Sequence, residues 1–546
     1  MKGLMQDWPL VVNSIVDYAA KFHGEQEVIT CTVEGPVHRY TYAEMHRRSQ
    51  LCALAMKRLG VGEGSIAATL AWNTYRHMEC WYGIMGLGAV CHTLNPRLFE
   101  KELDYIVNHA KDEYILLDLT FVDLMAKMQR KFPTVKGYII LTDRQHMPKH
   151  SKLQNMLCYE DLLQAEVSKL PFKWQVRDEN LACGLCYTSG TTGNPKGVMY
   201  SHRSNFLHAM IVASGDVMGL SSTSCFYAIV PLFHANSWGL VFAAPMTGTR
   251  LVLPGPYLDG PSVYNALEDF QVNGTAGVPT VFLGLLEYMA SHNKKLHYLK
   301  MAAVGGAACP PKILEKFDSM GIETRHAWGM TETSPIGTSG CLKGSQGPLS
   351  KKEELHYRAS QGRAHLFMDM RIVNDEGNEL PWDGKAAGEL QVRGPHVLKS
   401  YFRHSKASAV DKHNWFSTGD VASIDPLGYM RITDRSKDVI KSGGEWISSI
   451  EIENMAVSHE QVLEAAVIAI PHPKWTERPL LVVVAAEGSK LTKEDMLNFL
   501  QGKIAKWWIP EDVVFVKEIP HTAAGKIYKL QLRKDFKDYK FPSNKL

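Results

Sequence analysis

Residues 187–202 read Y-T-S-G-T-T-G-N-P-K-G-V-M-Y-S-H. Hydroxyls at Thr188, Ser189, Thr191 and Thr192 sit among Gly190 and Gly193, and a single lysine, Lys196, follows. Glycines let backbone N–H groups close on an anion and a lysine adds a point charge, so the composition is that of a phosphate cradle. A surface loop rich in turn formers would explain the glycines and proline, but not the hydroxyls and the lysine. The spacing excludes the common cradles. A Walker A loop needs G-x-x-x-x-G-K-[ST], whereas Lys196 lies between Pro195 and Gly197 with no hydroxyl after it. There is no G-x-G-x-x-G either, which removes the dinucleotide fingerprint and the kinase loop. The loop follows the strand-like run L-A-C-G-L-C-Y, residues 181–187, so it is expected at the C-terminal edge of a sheet, where α/β proteins bind ligands.

Outward from the loop the chain keeps an α/β rhythm. Before it come S-I-A-A-T-L-A-W-N from 65, the helical runs R-H-M-E-C-W-Y-G-I-M-G-L-G-A-V and K-E-L-D-Y-I-V-N-H-A, then Y-I-L-L-D-L-T, a helix from Phe121, and G-Y-I-I-L-T-D. After it the rhythm resumes over residues 224–308, which predicts a second layered sheet. Between about 340 and 435 short strands separated by turn signals predict a small β subdomain. The tail reads as a compact α+β unit, with strands at 464–471, 480–486 and 513–520. Its helix at 491–500 opens with a capping-box pair, Thr492 and Asp495, and a staple, Leu491 with Met496. The expected fold class is therefore α/β: a large domain over 1–434, a hinge at 435–437, and a small mobile domain over 438–546.

A chain of 546 residues exceeds what one hydrophobic core organises, roughly 250–300 residues, so several domains are required. The 45% apolar and 21% charged composition is that of a folded globular protein. The formal charge of +3 comes from 60 basic and 57 acidic side chains that are scattered, which leaves no argument for nucleic acid. No apolar run approaches the roughly 18–20 residues of a membrane span, and the N-terminus, with Asp7, Pro9 and Asn13, reads as fold rather than signal peptide. Ten irregularly spaced cysteines suggest reduced thiols and a cytoplasmic setting; the ending Asn544-Lys545-Leu546 is only loosely like a peroxisomal address. Cys183 and Cys186 form a C-x-x-C with no second pair or nearby histidine, and read as core packing rather than a zinc site.

The loop resembles the phosphate-binding signature [YFL]-T-S-G-[ST]-T-G-x-P-K-G of the adenylate-forming superfamily of acyl-CoA synthetases, luciferases and adenylation domains. Further motifs follow in that family's order: G-G-A-A-C-P at 305–310, H-A-W-G-M-T-E-T at 326–333, W-F-S-T-G-D at 415–420, D-R-S-K-D at 434–438 and H-T-A-A-G-K-I at 521–527. Six ordered motifs span nearly the whole chain. The resemblance implies ATP and AMP binding by the loop, including Lys196, and by Gly306, Ala307, Ala308, His326, Ala327, Trp328, Gly329 and Met330 beside the adenine. Asp420 and Arg435 would reach the ribose, Thr331 a phosphate oxygen, and Glu332 would hold Mg²⁺, as a hard oxygen ligand can. Taken singly, Glu332 reads as a surface charge and Asp420 as a turn residue. The resemblance makes Lys526 the mobile catalytic cation and Lys437 the pivot. Gly443, Gly444 and Trp446 would border the tunnel for coenzyme A. One departure stands in P-H-T-A-A-G-K, where Ala524 replaces the hydroxyl of many relatives.

Two stretches, V-P-L-F-H-A-N-S-W-G at 230–239 and K-D-V-I-K-S-G-G-E-W-I-S-S-I-E-I-E at 437–453, are similar to medium- and long-chain fatty acyl-CoA ligases and to methylmercaptopropionate-CoA ligases. His234 would then flank the substrate carboxylate, with Phe233, Val278 and Gly305 as further pocket candidates. Trp238 reads either as a wall of the acyl tunnel or as a core aromatic. The expected function is an acid–CoA ligase that forms AMP and pyrophosphate through an acyl-adenylate. Alternatives are an acyl-AMP ligase loading a carrier protein and a non-catalytic nucleotide-binding protein. The branch also implies a homodimer.

Overall fold

The computed structural model describes residues 1, 3–188, 194–404, 408–435, 438–442, 445–521 and 526–542, with Lys441, Glu445 and Trp446 described by backbone alone. Four sheets organise the described chain. The first has seven strands in the spatial order Met156–Cys158, Gly137–Ile140, Tyr114–Leu117, Ile66–Leu70, Val90–Thr93, Ala182–Tyr187 and Gly197–Ser201. Its neighbours pair in parallel except the last two, an antiparallel hairpin that brackets the opening loop. The second has nine strands, parallel through Glu323–Gly329, Met301–Gly305, Gly274–Gly277, Cys225–Ala228, Arg250–Leu253 and Glu27–Cys31, with antiparallel strands at both edges.

Both parallel sheets are covered on two faces, which is why their strands are continuous apolar runs rather than alternating ones. Helices Tyr42–Arg58, Tyr75–Met85 and Leu240–Thr247 lie between the two sheets. Their Met45, Cys52, Trp81 and Phe242 pack with Ala67 and Cys91 of one sheet and Phe226 and Ala303 of the other. The outer faces are closed by Glu100–Ala110 and Val122–Met128 on the first sheet, and by Gly260–Asp269, Pro279–Ser291 and Pro311–Ser319 on the second.

An ionic network ties this block together. Glu79, fully buried, receives Arg48 at 2.7 Å and the Tyr159 hydroxyl at 2.8 Å, while Glu160 binds both Arg48 and Arg76 at 2.8 Å. Arg76 continues to Glu34 at 2.6 Å, in the loop of the N-terminal hairpin. Deleting one partner strands a buried charge, so Glu79→Ala is expected to lose about 3–5 kcal/mol. Thermal or denaturant unfolding checks this; a Tm unchanged from wild type would contradict it.

The third sheet is an antiparallel meander, Asp369–Val373, Ala387–Arg393, Phe416–Ile424 and Met430–Arg435, where the β subdomain was expected. The fourth, built from residues after 439, comprises Glu445–Ile447, Ile440–Ser442, Thr476–Ala485, Val462–His472 and Asp512–Phe515. The tail helix Lys493–Leu500 carries the capping box from Thr492 and Asp495, and Leu491 and Met496 share one core cluster.

Three features depart from the sequence expectation. The run from Arg76 to Val90 is not one helix: it ends at Met85, and after Gly86 and Gly88 (φ +74°) a strand, Val90–Thr93, begins. A segment buried on all sides looks alike in both conformations, so periodicity could not separate them. The N-terminal hairpin Glu27–Cys31 and Val37–Thr41 joins the second sheet, pairing Val28 with Leu251 across the chain. Residues Ile336–Ser339 and Arg363–Ala364 edge that same sheet instead of joining the β subdomain. All ten cysteines are free thiols. Among the described residues no helix is long and apolar enough to cross a membrane.

Candidate active site

A cavity of about 1410 Å³ opens between the sheets' loop ends and the tail, and its lining draws on every motif except the pocket stretch at 230–239. The neck of the opening loop is closed by the Thr188 N–H donating to the Lys196 carbonyl at 2.9 Å. Thr188 and Lys196 line the cavity; Ser189, Gly190, Thr191, Thr192 and Gly193 lie outside the described residues. The Lys196 ammonium stands 4.8 Å from the centre of the Tyr401 ring, and the Tyr401 hydroxyl donates to Glu332 Oε1 at 2.8 Å. The Tyr200 hydroxyl, from the strand after the loop, donates to the Thr331 carbonyl at 2.8 Å. Loop and T-E-T turn are thus one construction. Burial pushes the Glu332 carboxyl upward in pKa, opposed first by the Tyr401 hydrogen bond and more weakly by Arg435 and Lys196.

The small residues at 305–308 and 326–329 meet because their strands pair in parallel, with Val304 opposite His326 and Gly305 opposite Ala327. Gly306 has φ +79°, a conformation that a side chain would strain. A Cβ at Gly305 would lie 2.8 Å from the Ala327 carbonyl oxygen and 3.0 Å from the Trp238 indole. Gly306, Ala307, Ala308, His326, Ala327, Gly329 and Met330 all face the cavity. His326 is tied down, its Nδ1 3.0 Å from the Ala359 carbonyl oxygen. Trp328 is buried against the third sheet, and its indole N–H donates to Asp420 Oδ2 at 2.9 Å.

Asp420 is only 2% exposed. Arg435, its partner on the neighbouring strand, holds the other carboxylate oxygen at 2.9 Å. Burial raises the Asp420 pKa, with Arg435, the Trp328 hydrogen bond and then Lys526 opposing the shift. Lys526 comes to this cavity from the tail. It keeps exposed surface, so water moderates its field, yet the surrounding walls bring its pKa down to about 8. Desolvation is the main cause and Arg435 adds to it, while Asp420 and Glu332 resist.

The tail is clamped in this position by buried charge. Asp434 accepts the Ser449 N–H at 2.7 Å at the start of helix Ser449–Val457, and Lys529, paired with Glu453 within the tail at 2.7 Å, sets its charge near Asp434. Burial raises Glu453 to about 7, with the Lys529 charge opposing. Lys437, Gly443 and Gly444 lie outside the described residues, and of Trp446 only the backbone strand is described.

The stretch at 230–239 stands behind Gly305 and Gly306. His234 is drawn down to about 3 by burial, then by the charges of Lys526 and Arg97, so its ring is neutral; its Nε2 is buried without a protein partner. Phe233 is 3% exposed and packs between Trp72 and His234, with ring centres 6.4 and 4.9 Å away. Val278 and Trp238 abut Gly306, at 3.2 and 3.7 Å from where its Cβ would be. Ala235, Asn236, Ser237 and Trp238 all have positive φ, 37°, 63°, 50° and 54°, and Gly239 follows at 83°. A left-handed turn of non-glycine residues costs about 1–2 kcal/mol per residue, so surrounding contacts must hold it.

Sequence reasoning passed over Tyr401, Tyr200 and the Asp434–Ser449 clamp. Each acts through a partner distant in the chain, and S-Y-F at 400–402 carries no local signal of chemistry.

Residues 16–402 match the family AMP-binding enzyme, and residues 451–526 match the AMP-binding enzyme C-terminal domain. The chain is 44% identical to a 3-methylmercaptopropionyl-CoA ligase of Ruegeria lacuscaerulensis, covering 98% of this chain and 99% of that one. It is 44% identical to a medium-chain-fatty-acid–CoA ligase of Ectopseudomonas oleovorans over 98% of each, and 41% identical to a long-chain-fatty-acid–CoA ligase of Thermus thermophilus over 98% and 97%. Among solved structures, the anthranilate CoA ligase AuaEII in complex with anthranoyl-AMP superposes with a TM-score of 0.84 at 23% identity, over 97% of this chain and 99% of that one. The fold, both family matches and these full-length relatives agree: the chain belongs to the AMP-binding enzyme family.

Proposed function

We propose that the protein is an ATP-dependent acid–CoA ligase whose acid is a medium- or long-chain fatty acid or a short thioether acid such as 3-methylmercaptopropionate. The observation that carries this reading is the convergence of Glu332, Asp420, Arg435 and Lys526 on one cavity, with the lysine supplied by the tail. The names of the full-length relatives support the substrate class. In this reading Asp420 and Arg435 orient the ribose and Lys196 grips the phosphates. Lys526 stabilises charge on the carboxylate and α-phosphate as their bond forms and pyrophosphate leaves. The acyl-AMP is then opened by the thiol of coenzyme A.

Glu332, fixed by Tyr401 and adjoining Thr331, fits a hard cation. Among the described residues no group of three or more histidine, cysteine or acidic side chains could hold a metal, so phosphate oxygens and water must complete the shell. Bound Mg²⁺ there would neutralise charge across the phosphates.

Supplying ATP, coenzyme A and acids from short thioethers to long fatty acids should yield AMP, pyrophosphate and acyl-CoA. ADP as product would overturn adenylation; AMP without thioester would overturn coenzyme A as acceptor. The pH profile supplies a further check. Lys526, lowered from 10.5 to about 8, carries its charge below that pH and loses it above. Adenylation, followed as pyrophosphate release, should therefore fall about tenfold per unit above pH ~8, whereas thioester formation from supplied acyl-AMP should not follow that curve. An adenylation rate flat to pH ~10 would remove the lysine from that step.

A further inference from the structure

We propose that His396 is a positioning residue for Glu332: its imidazole and its carbonyl hold the turn Thr331–Thr333 that presents the Glu332 carboxylate to the cavity. This rests on the reading of Glu332 as the carboxylate that meets the cation bound with ATP.

A single 3₁₀ turn has few and poorly aligned hydrogen bonds of its own. This one closes on Ser334 at φ +73°, a left-handed conformation that is unfavourable for a residue with a side chain. Its three carbonyls are held from outside instead. The Thr331 carbonyl accepts the Tyr200 hydroxyl at 2.8 Å, the Glu332 carbonyl accepts the Leu398 N–H at 2.8 Å, and the Thr333 carbonyl accepts from His396 Nδ1 at 2.9 Å. The Ser334 hydroxyl returns the contact, donating to the His396 carbonyl at 2.8 Å. His396 therefore grips the turn with its ring and with its main chain. Further along the same segment Tyr401 donates to the carboxylate itself, and the Phe402 N–H donates to the Gly197 carbonyl at 2.9 Å. Residues 396–402 thus tie the turn to the strand that leaves the phosphate loop.

A second imidazole completes the frame. His208 Nε2 accepts the Ile336 N–H at 3.0 Å, just past the turn, and the two rings lie 5.6 Å apart. The roles of the ring nitrogens follow from their partners: a carbonyl only accepts, so His396 Nδ1 carries the proton, and a backbone N–H only donates, so His208 Nε2 does not. Both histidines are buried, and neither lines the cavity. Whatever His396 does for the reaction it does through Glu332, because its ring reaches the turn and not the substrates. Removing that ring takes the donor from a buried carbonyl one residue from Glu332, and an unsatisfied buried acceptor is the costly kind of loss.

The test is His396→Ala in the full chain, read with Mn²⁺ and ATP in the absence of acid, so that nothing turns over. Manganese accepts the same oxygen ligands as magnesium and is visible by electron paramagnetic resonance. Affinity for Mn²⁺–ATP should weaken about tenfold, while affinity for AMP alone, which brings no cation to Glu332, should stay within about twofold. His396→Asn, whose side-chain N–H can stand where Nδ1–H stands, should remain within about threefold of wild type for Mn²⁺–ATP. His396→Leu, which fills the space without a donor, should behave as alanine does. Amide hydrogen exchange at Leu398 and Ile336 should quicken in the alanine and leucine variants and not in the asparagine variant. Equal loss of Mn²⁺–ATP and AMP affinity, recovery by leucine as full as by asparagine, or unaltered exchange would each overturn the proposal. Failure of the wild type to bind Mn²⁺–ATP would count against the ligase reading instead, and exchange at Leu398 and Ile336 would then decide the role of His396.

Discussion

Lys526→Ala is expected to slow acyl-adenylate formation about a thousandfold while leaving thioester formation from supplied acyl-AMP within about threefold. The asymmetry follows from where the lysine stands. Its ammonium shares a cavity with Asp420, Arg435 and Glu332, whose walls bring its pKa to about 8 although the side chain keeps exposed surface. A cation held among such walls stabilises developing charge more than one in bulk water. Nothing in opening a finished acyl-AMP by a thiol calls for that charge. Pyrophosphate release measures the first half-reaction, and acyl-CoA formed from synthetic acyl-AMP measures the second. Equal loss of both would show that Lys526 acts by holding the tail in place rather than by its charge.

Asp420→Ala should raise the KM for ATP about a hundredfold or more, with smaller change in the KM for the acid. The carboxylate is held on both oxygens, by Trp328 at 2.9 Å and Arg435 at 2.9 Å, so its loss leaves a buried indole N–H without an acceptor and an arginine without its partner. Hydrogen bonds to a charged group are worth about 1.5–3 kcal/mol each, which sets the scale. Asp420→Asn, which keeps the shape and can still accept from Trp328, should fall between wild type and alanine. Nucleotide binding followed by calorimetry separates this from a folding defect. An unchanged ATP affinity in the alanine variant would remove Asp420 from the nucleotide site.

The two variants differ in what a reader of the sequence could have known. Asp420 and Lys526 both sit in motifs whose residue types announce their chemistry, a carboxylate after S-T-G and a lysine between glycine and isoleucine. The α/β rhythm, the break at the glycine-rich loop, the β subdomain and the capped tail helix were also legible, because periodicity and turn chemistry are local properties. The strand Val90–Thr93 was not, since burial on every side erases the contrast that marks a strand.

Partnership was beyond reach as well. Trp328 lines the same cavity as its neighbours in the chain, and its indole N–H donates to Asp420, 92 positions on. Tyr401 has no motif and yet fixes Glu332 beneath Lys196. Cys183 and Cys186, which read as core packing, are buried as expected, yet the Cys183 sulfur also accepts the Asn205 side-chain amide from a helix 22 positions on. The linear chain specifies which chemical groups are present and which segments bury themselves, because both depend on residue type and on neighbours three or four positions away. Which oxygen a given N–H meets depends on strand order and crossing, and that was decided only when two parallel sheets closed on a shared layer of helices.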